Sequence, residues 1–160
     1  MIFAEIIFMQ KLNLPEYDFR IKTEGQSKQI FDKLRGRFVA LTPEEWVRQH
    51  FILFLIDEKK YPAGLFSVER NIKLNELNKR TDLVIYNRNG KPWMLVEFKA
   101  YDVAITQETF YQAARYNMVH NVPYMVVSNG MEHFCCHMTN DSFEFMDDLP
   151  EFEKADDFTQ

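Results

Sequence analysis

The sequence has only two cysteines and no apolar run near the roughly 20 residues needed to cross a membrane. Cys135 and Cys136 are adjacent, so they give no disulfide framework and indicate a reducing compartment. The apolar stretch 1–9 contains Glu5 and has no preceding basic region, which argues against a secretory signal. We therefore expect a cytoplasmic protein without a membrane partner. An alternative is that Met9 is the natural start and that the preceding residues are a misassigned extension.

Basic residues are outnumbered by acidic ones, 19 to 24, and the net charge of −5 looks unfavourable for a protein that meets nucleic acid. Residues 141–160 hold eight acidic residues and one basic residue, a charge of −7, which leaves +2 for residues 1–140. We expect one domain over 1–140, in which 1–18 is a possible flexible or misassigned extension, followed by an acidic strand or tail over 141–160. Such a tail is typically solvated and partly disordered, and the alternative is a regulatory or docking segment. Charge alone neither supports nor excludes a nucleic-acid partner.

A capping box marks the start of the first helix. Thr42 suits the N-cap, Pro43 suits the first helical position, and Glu45 lies three residues after Thr42. Apolar residues then recur at spacings of three and four until about Lys59. This pattern predicts an amphipathic helix whose first turn carries Glu44 and Glu45.

The rest of the chain predicts a mixed sheet flanked by helices. Residues 19–40, interrupted by Gly25 and Gly36, are interpreted as a leading segment or a hairpin. Apolar patterns predict a helix over 106–120 and strands at about 65–74, 82–86, 93–98, 123–128, 132–138 and 143–146. The resulting order, α-β-β-β-α-β-β, indicates an α/β fold that borders on α+β.

Asn89-Gly90 is a strong signal for a hairpin turn between two of these strands. A two-residue turn would pair residues whose numbers sum to 179, so that Arg88 faces Lys91 and Asp82 faces Glu97. A four-residue loop keeps this sum, whereas a loop with an odd number of residues would break it. The register therefore predicts two opposed carboxylates on one face of the sheet.

Opposed carboxylates at this distance, about 5 Å between Cβ atoms, repel each other unless a cation lies between them. Lys99 lies two residues after Glu97, so the period of a strand directs both side chains to the same face. The carbonyl of Phe98 could supply a further oxygen ligand beside Asp82. Oxygen ligands favour Mg²⁺ or Mn²⁺, and a neighbouring lysine could orient a water or stabilise transition-state charge.

The spacing of Asp82 and Glu97-Phe98-Lys99 resembles the motif of the PD-(D/E)XK nuclease superfamily, although Thr81 stands where that motif has proline. Gln112 and Tyr116 resemble its Gln-x-x-x-Tyr element, and Glu44 is similar to its additional glutamate. Over about residues 19–140 the chain resembles the N-terminal nuclease domain of type I restriction enzyme R proteins. The segments that carry this second resemblance occur in one order, at 41–49, 82–86, 97–100, 112–117 and 128–130.

The resemblance implies a restriction-endonuclease-like fold and Mg²⁺- or Mn²⁺-dependent hydrolysis of phosphodiester bonds in DNA rather than RNA. It implies catalytic roles for Asp82, Glu97, Lys99 and Gln112, metal ligation by Asp82, Glu97, Phe98 and Glu44, and substrate contacts by Gln112, Tyr116 and Arg115. The chain shows no Gly-x-x-x-x-Gly-Lys-Ser/Thr loop, so no ATP-driven motor is expected within it. The alternative is a catalytically silent module that binds nucleic acid or a protein partner. A homodimer is also compatible with the resemblance.

Three further interpretations stay open at this point. Glu44 shares a helical face with Val47, Phe51 and Leu55 and is expected to point inward, although Glu45 could face the site instead. The tight spacing of His133, Cys135, Cys136 and His137 on one strand cannot place all four around a zinc ion, so a buried or half-exposed strand is preferred. A phosphate-binding patch is conceivable, but a scattered solvated surface is preferred for its members, Arg20, Lys22, Arg35 and Arg37.

Overall fold

The computed structural model describes residues 10–74 and 77–152. Its two helices and two sheets confirm the predicted α/β or α+β class. In chain order the elements are β1 (Ile21–Glu24), β2 (Ser27–Asp32), β3 (Arg37–Ala40), α1 (Pro43–Asp57), β4 (Phe66–Leu74), β5 (Leu77–Tyr86), β6 (Pro92–Phe98), α2 (Gln107–His120), β7 (Tyr124–Ser128), β8 (His133–Met138) and β9 (Phe143–Met146).

The segment before α1 forms a three-stranded antiparallel sheet in the order β1-β2-β3, not a single hairpin. Gly25 and Gly36 explain the third strand, because each has a positive φ, of 61° and 65°, and each lies in a tight turn. Asp32 stabilises the second turn by accepting hydrogen bonds from the backbone amides of Leu34 and Arg35. Two turns within this short segment therefore produce a meander.

The main sheet has six strands in the order β4-β5-β6-β7-β8-β9. Strands β6 and β7 run parallel and are joined through α2, whereas every other neighbouring pair is antiparallel. A parallel pair needs a crossover connection, which α2 provides. This single crossover makes the sheet mixed, as the order of predicted elements indicated.

The loop between β5 and β6 differs from the predicted two-residue turn. Tyr86 pairs with Pro92, so Arg88 and Lys91 both lie in the five-residue loop and do not face each other as strand partners. The side chain of Asn87 shapes this loop, since its Oδ1 accepts hydrogen bonds from two backbone amides within it.

An odd loop should have broken the predicted register, yet the register is retained. A bulge lies between the Ile85 and Tyr86 pairings and places one additional residue, Trp93, on β6. Beyond it, Ile85 pairs with Met94 and Leu83 pairs with Val96, and both pairs sum to 179. The bulge thus compensates for the odd loop.

Alternation along β5 and β6 sends their side chains to two different layers. Residues at one phase, such as Leu83 and Phe98, join the core that contains Phe51 of α1. Residues at the other phase, such as Val84 and Leu95, pack in a separate cluster with Val122. Helix α2 packs on the sheet through a third cluster, which includes Ala114 and Val127. Asp82 and Glu97 belong to the same phase as Val84 and Leu95.

Both ends of the described chain pack against this body. Leu12 is buried, and the amide of Asn13 donates to the carbonyl of Gly130 at 2.8 Å. Residues 141–152 contain the predicted strand as β9, and they end in Phe152, which is buried against Tyr61 and Trp93 where a solvated tail was expected. Residues 1–9 and 153–160, which include the start of the predicted extension and the end of the predicted tail, lie outside the described residues.

Within the described residues, no helix combines the length and the apolar character needed to cross a membrane.

Candidate active site

The predicted pair of carboxylates comes together at one end of the β5–β6 hairpin. Leu83 is paired with Val96, and Asp82 and Glu97 are the next residues along β5 and β6 in that register. Asp82 Oδ2 accepts a hydrogen bond from the amide of Phe98 at 2.8 Å. Lys99 Nζ lies 3.3 Å from Glu97 Oε1, as the period of the strand predicted. Two carboxylates and an ammonium group therefore share one small region.

The surroundings of Asp82 have opposing effects on its pKa. Burial raises its pKa, and the negative charge of Glu97 adds to this effect. The hydrogen bond from Phe98 and the positive charges of Arg48 and Lys99 lower it, but the net pKa stays above the ordinary value. A raised pKa means that the ionised form of Asp82 lacks full compensation from its surroundings.

Helix α1 brings Glu44 to this cluster. Thr42 Oγ1 accepts a hydrogen bond from the amide of Glu45, which fixes the first turn as the capping box predicted. Burial and the charge of Asp82 raise the pKa of Glu44, whereas the charges of Arg48 and Lys99 lower it. Glu44 is thus close enough to Asp82 for the two charges to interact.

Glu45 has a different environment. It is only 5% exposed and forms ion pairs with Arg35 and Arg48 and a hydrogen bond with Gln49. The prediction that Glu44 points inward is wrong, because the side chain of Glu44 is 45% exposed and Glu45 is the buried one. Glu44 nevertheless lies at the carboxylate cluster, since Arg48 contacts both Glu44 and Asp82.

Arg48 was missed by the sequence analysis. Its side chain is only 4% exposed, and its Nη2 lies 3.4 Å from both Glu44 Oε1 and Asp82 Oδ1. Its Nη1 pairs with Glu45 and lies 3.5 Å from Glu69 Oε1, while its Nε has no hydrogen-bond partner in the described part of the chain. The available signal was an arginine four residues after Glu44.

Glu69 was also missed. Its neighbours in β4, Val68 and Arg70, pair with Leu83 and Thr81, so Glu69 lies opposite Asp82 in the backbone register. Its φ of +52° is unusual for a non-glycine residue inside a strand and costs about 1–3 kcal/mol. Glu69 Oε2 lies 3.0 Å from Arg35 Nη1. The backbone distortion accompanies a carboxylate that joins the same ion-pair network.

A cavity of about 70 Å³ lies beside Asp82 and Glu97 and reaches α2. From α2 it is lined by Ala113, Tyr116 and Asn117. Gln112 and Arg115, also on α2, are exposed and do not line it. Of the three predicted substrate-contacting residues, the fold brings Tyr116 to the carboxylates and leaves Gln112 and Arg115 on the outer surface of the helix.

No group of three or more His, Cys, Asp or Glu side chains is arranged to hold a metal ion within residues 10–74 and 77–152. At the carboxylate cluster, Arg48 and Lys99 supply the neighbouring positive charge. On β8, Cys135 and Cys136 pack into different clusters, and burial raises the pKa of each thiol to about 12. His133 instead contacts Ser128 Oγ at 2.7 Å, and only part of β8 is buried, which agrees with the preferred interpretation of a buried or half-exposed strand.

This mixed sheet, with acidic residues and a lysine at the end of its central hairpin, is a restriction-enzyme-like domain. The chain belongs to the family Type I restriction enzyme R protein N terminus, whose model matches residues 43–150. This match confirms the resemblance that the order of sequence segments indicated. Comparisons with curated proteins and with solved structures gave no significant match.

Proposed function

We propose that the chain is a metal-dependent nuclease of the PD-(D/E)XK type that hydrolyses phosphodiester bonds in DNA. The observation that carries the proposal is the position of Asp82 and Glu97, each one residue beyond the Leu83–Val96 pair and close enough for their charges to interact, with Lys99 Nζ 3.3 Å from Glu97. The family match supports it, because restriction enzymes act on DNA. Exposed basic side chains elsewhere in the chain allow DNA binding despite its net charge of −5.

The donor atoms of the site suit Mg²⁺ or Mn²⁺. Asp82, Glu97 and Glu44 offer only oxygen ligands, which hard divalent cations prefer. Burial raises the pKa values of Asp82 and Glu44, as do the charge of Glu97 on Asp82 and the charge of Asp82 on Glu44, and a divalent cation would compensate these effects. The carbonyl of Phe98 is proposed as a further ligand, since the amide of the same residue lies 2.8 Å from Asp82 Oδ2. A bound ion would act as a Lewis acid and lower the pKa of a water molecule.

The other proposed roles belong to side chains around the carboxylates. Lys99 would orient the attacking water or stabilise negative charge on the phosphate in the transition state. Tyr116, which lines the cavity beside Asp82 and Glu97, would pack against the substrate. Gln112 and Arg115 would reach the substrate backbone from the exposed surface of α2.

A second candidate function is a catalytically silent module that binds nucleic acid or a protein partner. The observation in its favour is the contact of Arg48 with Asp82, at 3.4 Å. In addition, the side chains of Glu44, Asp82 and Glu97 are not arranged around one point where they could hold a metal ion. In this function the guanidinium would be the permanent counter-ion of the carboxylates. In the nuclease, Glu97 would have to turn from Lys99 towards Asp82 when metal binds.

The decisive experiment combines calorimetric titration of Mg²⁺ and Mn²⁺ with a cleavage assay on plasmid and single-stranded DNA. We expect metal-dependent cleavage by the wild type and a loss of about a hundredfold or more in Glu97→Gln. Glu144→Gln is the matched control, because Glu144 is exposed on β9, three strands away from Glu97. Both variants should unfold at the temperature of the wild type.

Undiminished cleavage by Glu97→Gln would remove this site from the mechanism. If the wild type binds no metal, either with or without DNA, the catalytically silent module is favoured. A second copy of the chain could be needed to cut both strands, and the dependence of plasmid cleavage on protein concentration measures that requirement.

A further inference from the structure

The small sheet that precedes α1 is basic. Residues 19–40 contain six basic and two acidic residues, a net charge of +4 in a chain whose total is −5. One of the two acids, Asp32, is buried and paired with Arg35. The β1–β3 sheet is therefore a basic region of this acidic chain, and its charge favours a polyanionic partner.

One face of this sheet combines the cations with aromatic rings. Phe31 and Phe38 are paired across β2 and β3, with ring centroids 5.2 Å apart. The guanidinium of Arg20 lies 4.7 Å from the Phe31 centroid, and Lys22 Nζ lies 4.5 Å from the Phe38 centroid. Both cations are exposed, whereas Ile30, one residue from Phe31, is buried on the opposite face. We call Arg20, Lys22, Phe31 and Phe38 the basic-aromatic face.

The basic-aromatic face continues into a groove that reaches the candidate active site. The groove has a volume of about 650 Å³, and Phe38 and Arg37 of β3 line one part of it. Glu44 and Ala100, the residue that follows Lys99, line another part. Because β3 is an edge strand of its sheet, its side chains border the groove directly.

We propose that the basic-aromatic face binds a single-stranded segment of DNA and directs it along this groove to the active site. Aromatic side chains stack on bases, and arginine and lysine contact phosphates, which is the usual combination in proteins that bind single strands. A duplex keeps the faces of its bases stacked, so the rings of Phe31 and Phe38 favour an unpaired strand. The proposal deepens the proposed nuclease function by naming the substrate class, although the binding itself can be measured without catalysis.

The test measures binding of a labelled single-stranded oligonucleotide and of a blunt duplex of the same sequence to Glu97→Gln protein, by fluorescence anisotropy. Adding Phe38→Leu should weaken single-strand binding by about five- to a hundredfold and duplex binding far less. Adding Arg20→Gln or Lys22→Gln should weaken binding and reduce the salt slope by about 0.7 per cation lost.

Two matched controls separate this face from general effects. Phe145→Leu changes a phenylalanine that is 60% exposed on β9, and Lys91→Gln changes an exposed lysine in the β5–β6 loop. Both should bind the single strand like the Glu97→Gln parent. Thermal unfolding of each variant checks that Phe38→Leu remains folded, since Leu still covers Phe31.

The proposal would be overturned if Phe38→Leu bound the single strand as tightly as the Glu97→Gln parent. An equal loss of binding in Phe145→Leu, or preferential binding of the duplex, would also overturn it. Tighter binding of RNA of the same sequence would overturn the assignment to DNA. These outcomes are distinct from a failure of the nuclease function. If the wild type cleaves DNA with metal but the face variants bind DNA normally, only the role of the basic-aromatic face is contradicted. If binding depends on the face but no cleavage occurs, only the nuclease function is contradicted.

Discussion

The guanidinium of Arg48 contacts carboxylates from three elements, namely Glu44 and Glu45 of α1, Glu69 of β4 and Asp82 of β5. A buried cation among several acids fixes their relative positions, because its planar donors have a rigid geometry. Lysine has the same charge but lacks this geometry. Charge and orientation can therefore be separated at this residue.

We predict different effects for two substitutions of Arg48. Arg48→Met should lower the free energy of unfolding by about 3 kcal/mol, because it leaves buried carboxylates without their cation. Arg48→Lys should cost less stability but still reduce the cleavage rate of folded protein, because Glu44 and Asp82 lose their common donor. Urea unfolding and cleavage kinetics at saturating DNA measure the two effects. Arg48→Lys with a wild-type cleavage rate would mean that Arg48 has only a structural role.

At the residue scale, sequence reasoning found the members of the cluster that a strand or motif spacing defines. Asp82, Glu97 and Lys99 follow from a period of two and a hairpin register, which are local properties. Arg48 and Glu69 do not, because their contacts depend on the packing of α1 against the sheet. Helical spacing favoured Glu44 as the inward glutamate, and tertiary ion pairs with Arg35 and Arg48 instead buried Glu45.

At the element scale, the hairpin shows why a register can be predicted when its turn is not. The apolar alternation of β5 and β6 requires Leu83 and Val96 to face the core together, whatever the loop does. Asn87 produces a five-residue loop, and the bulge at Trp93 restores the pairing. The second turn of the meander was missed for a related reason, since Asp32 and Arg35 stabilise it by side-chain contacts.

The turn between β2 and β3 gives a prediction on pH. Burial alone would raise the pKa of Asp32, but hydrogen bonds and the charge of Arg35 outweigh it and lower the pKa below 3.8. A lowered folded-state pKa adds stability above the unfolded-state value, and this contribution disappears as the pH falls through the folded-state pKa. Asp32→Asn should therefore be less stable than the wild type at pH 7, and the difference should shrink below about pH 4.

Urea unfolding at pH 7 and at pH 3.5 measures this effect. Asp141→Asn serves as the control, because Asp141 is exposed in the loop before β9. A difference between the wild type and Asp32→Asn that is the same at both pH values would show that the charge of Asp32 does not stabilise the turn.

At the scale of the whole molecule, the acidic C-terminal segment was the least predictable feature. Its composition is typical of a solvated tail, yet one aromatic residue is enough to bring part of it into the core. Phe152 is 5% exposed and contacts Tyr61 and Trp93, with ring centroids 5.9 and 5.1 Å apart. Tyr61 also donates a hydrogen bond to the carbonyl of Pro150. A deletion that begins at residue 147 would therefore remove core contacts together with acidic charge.

We predict that Phe152→Ala lowers the free energy of unfolding by about 3–5 kcal/mol, because it leaves a cavity beside Tyr61 and Trp93. Phe145→Ala, at a phenylalanine that is 60% exposed on β9, should cost far less and serves as the matched control. Urea unfolding followed by tryptophan fluorescence suits this test, since Trp93 is 1% exposed and lies next to the substituted ring. Equal and small losses of unfolding free energy in both variants would mean that the C-terminal segment packs against the rest of the domain without stabilising it. A large loss confined to Phe152→Ala would make this segment part of the folded unit that positions β5 and β6.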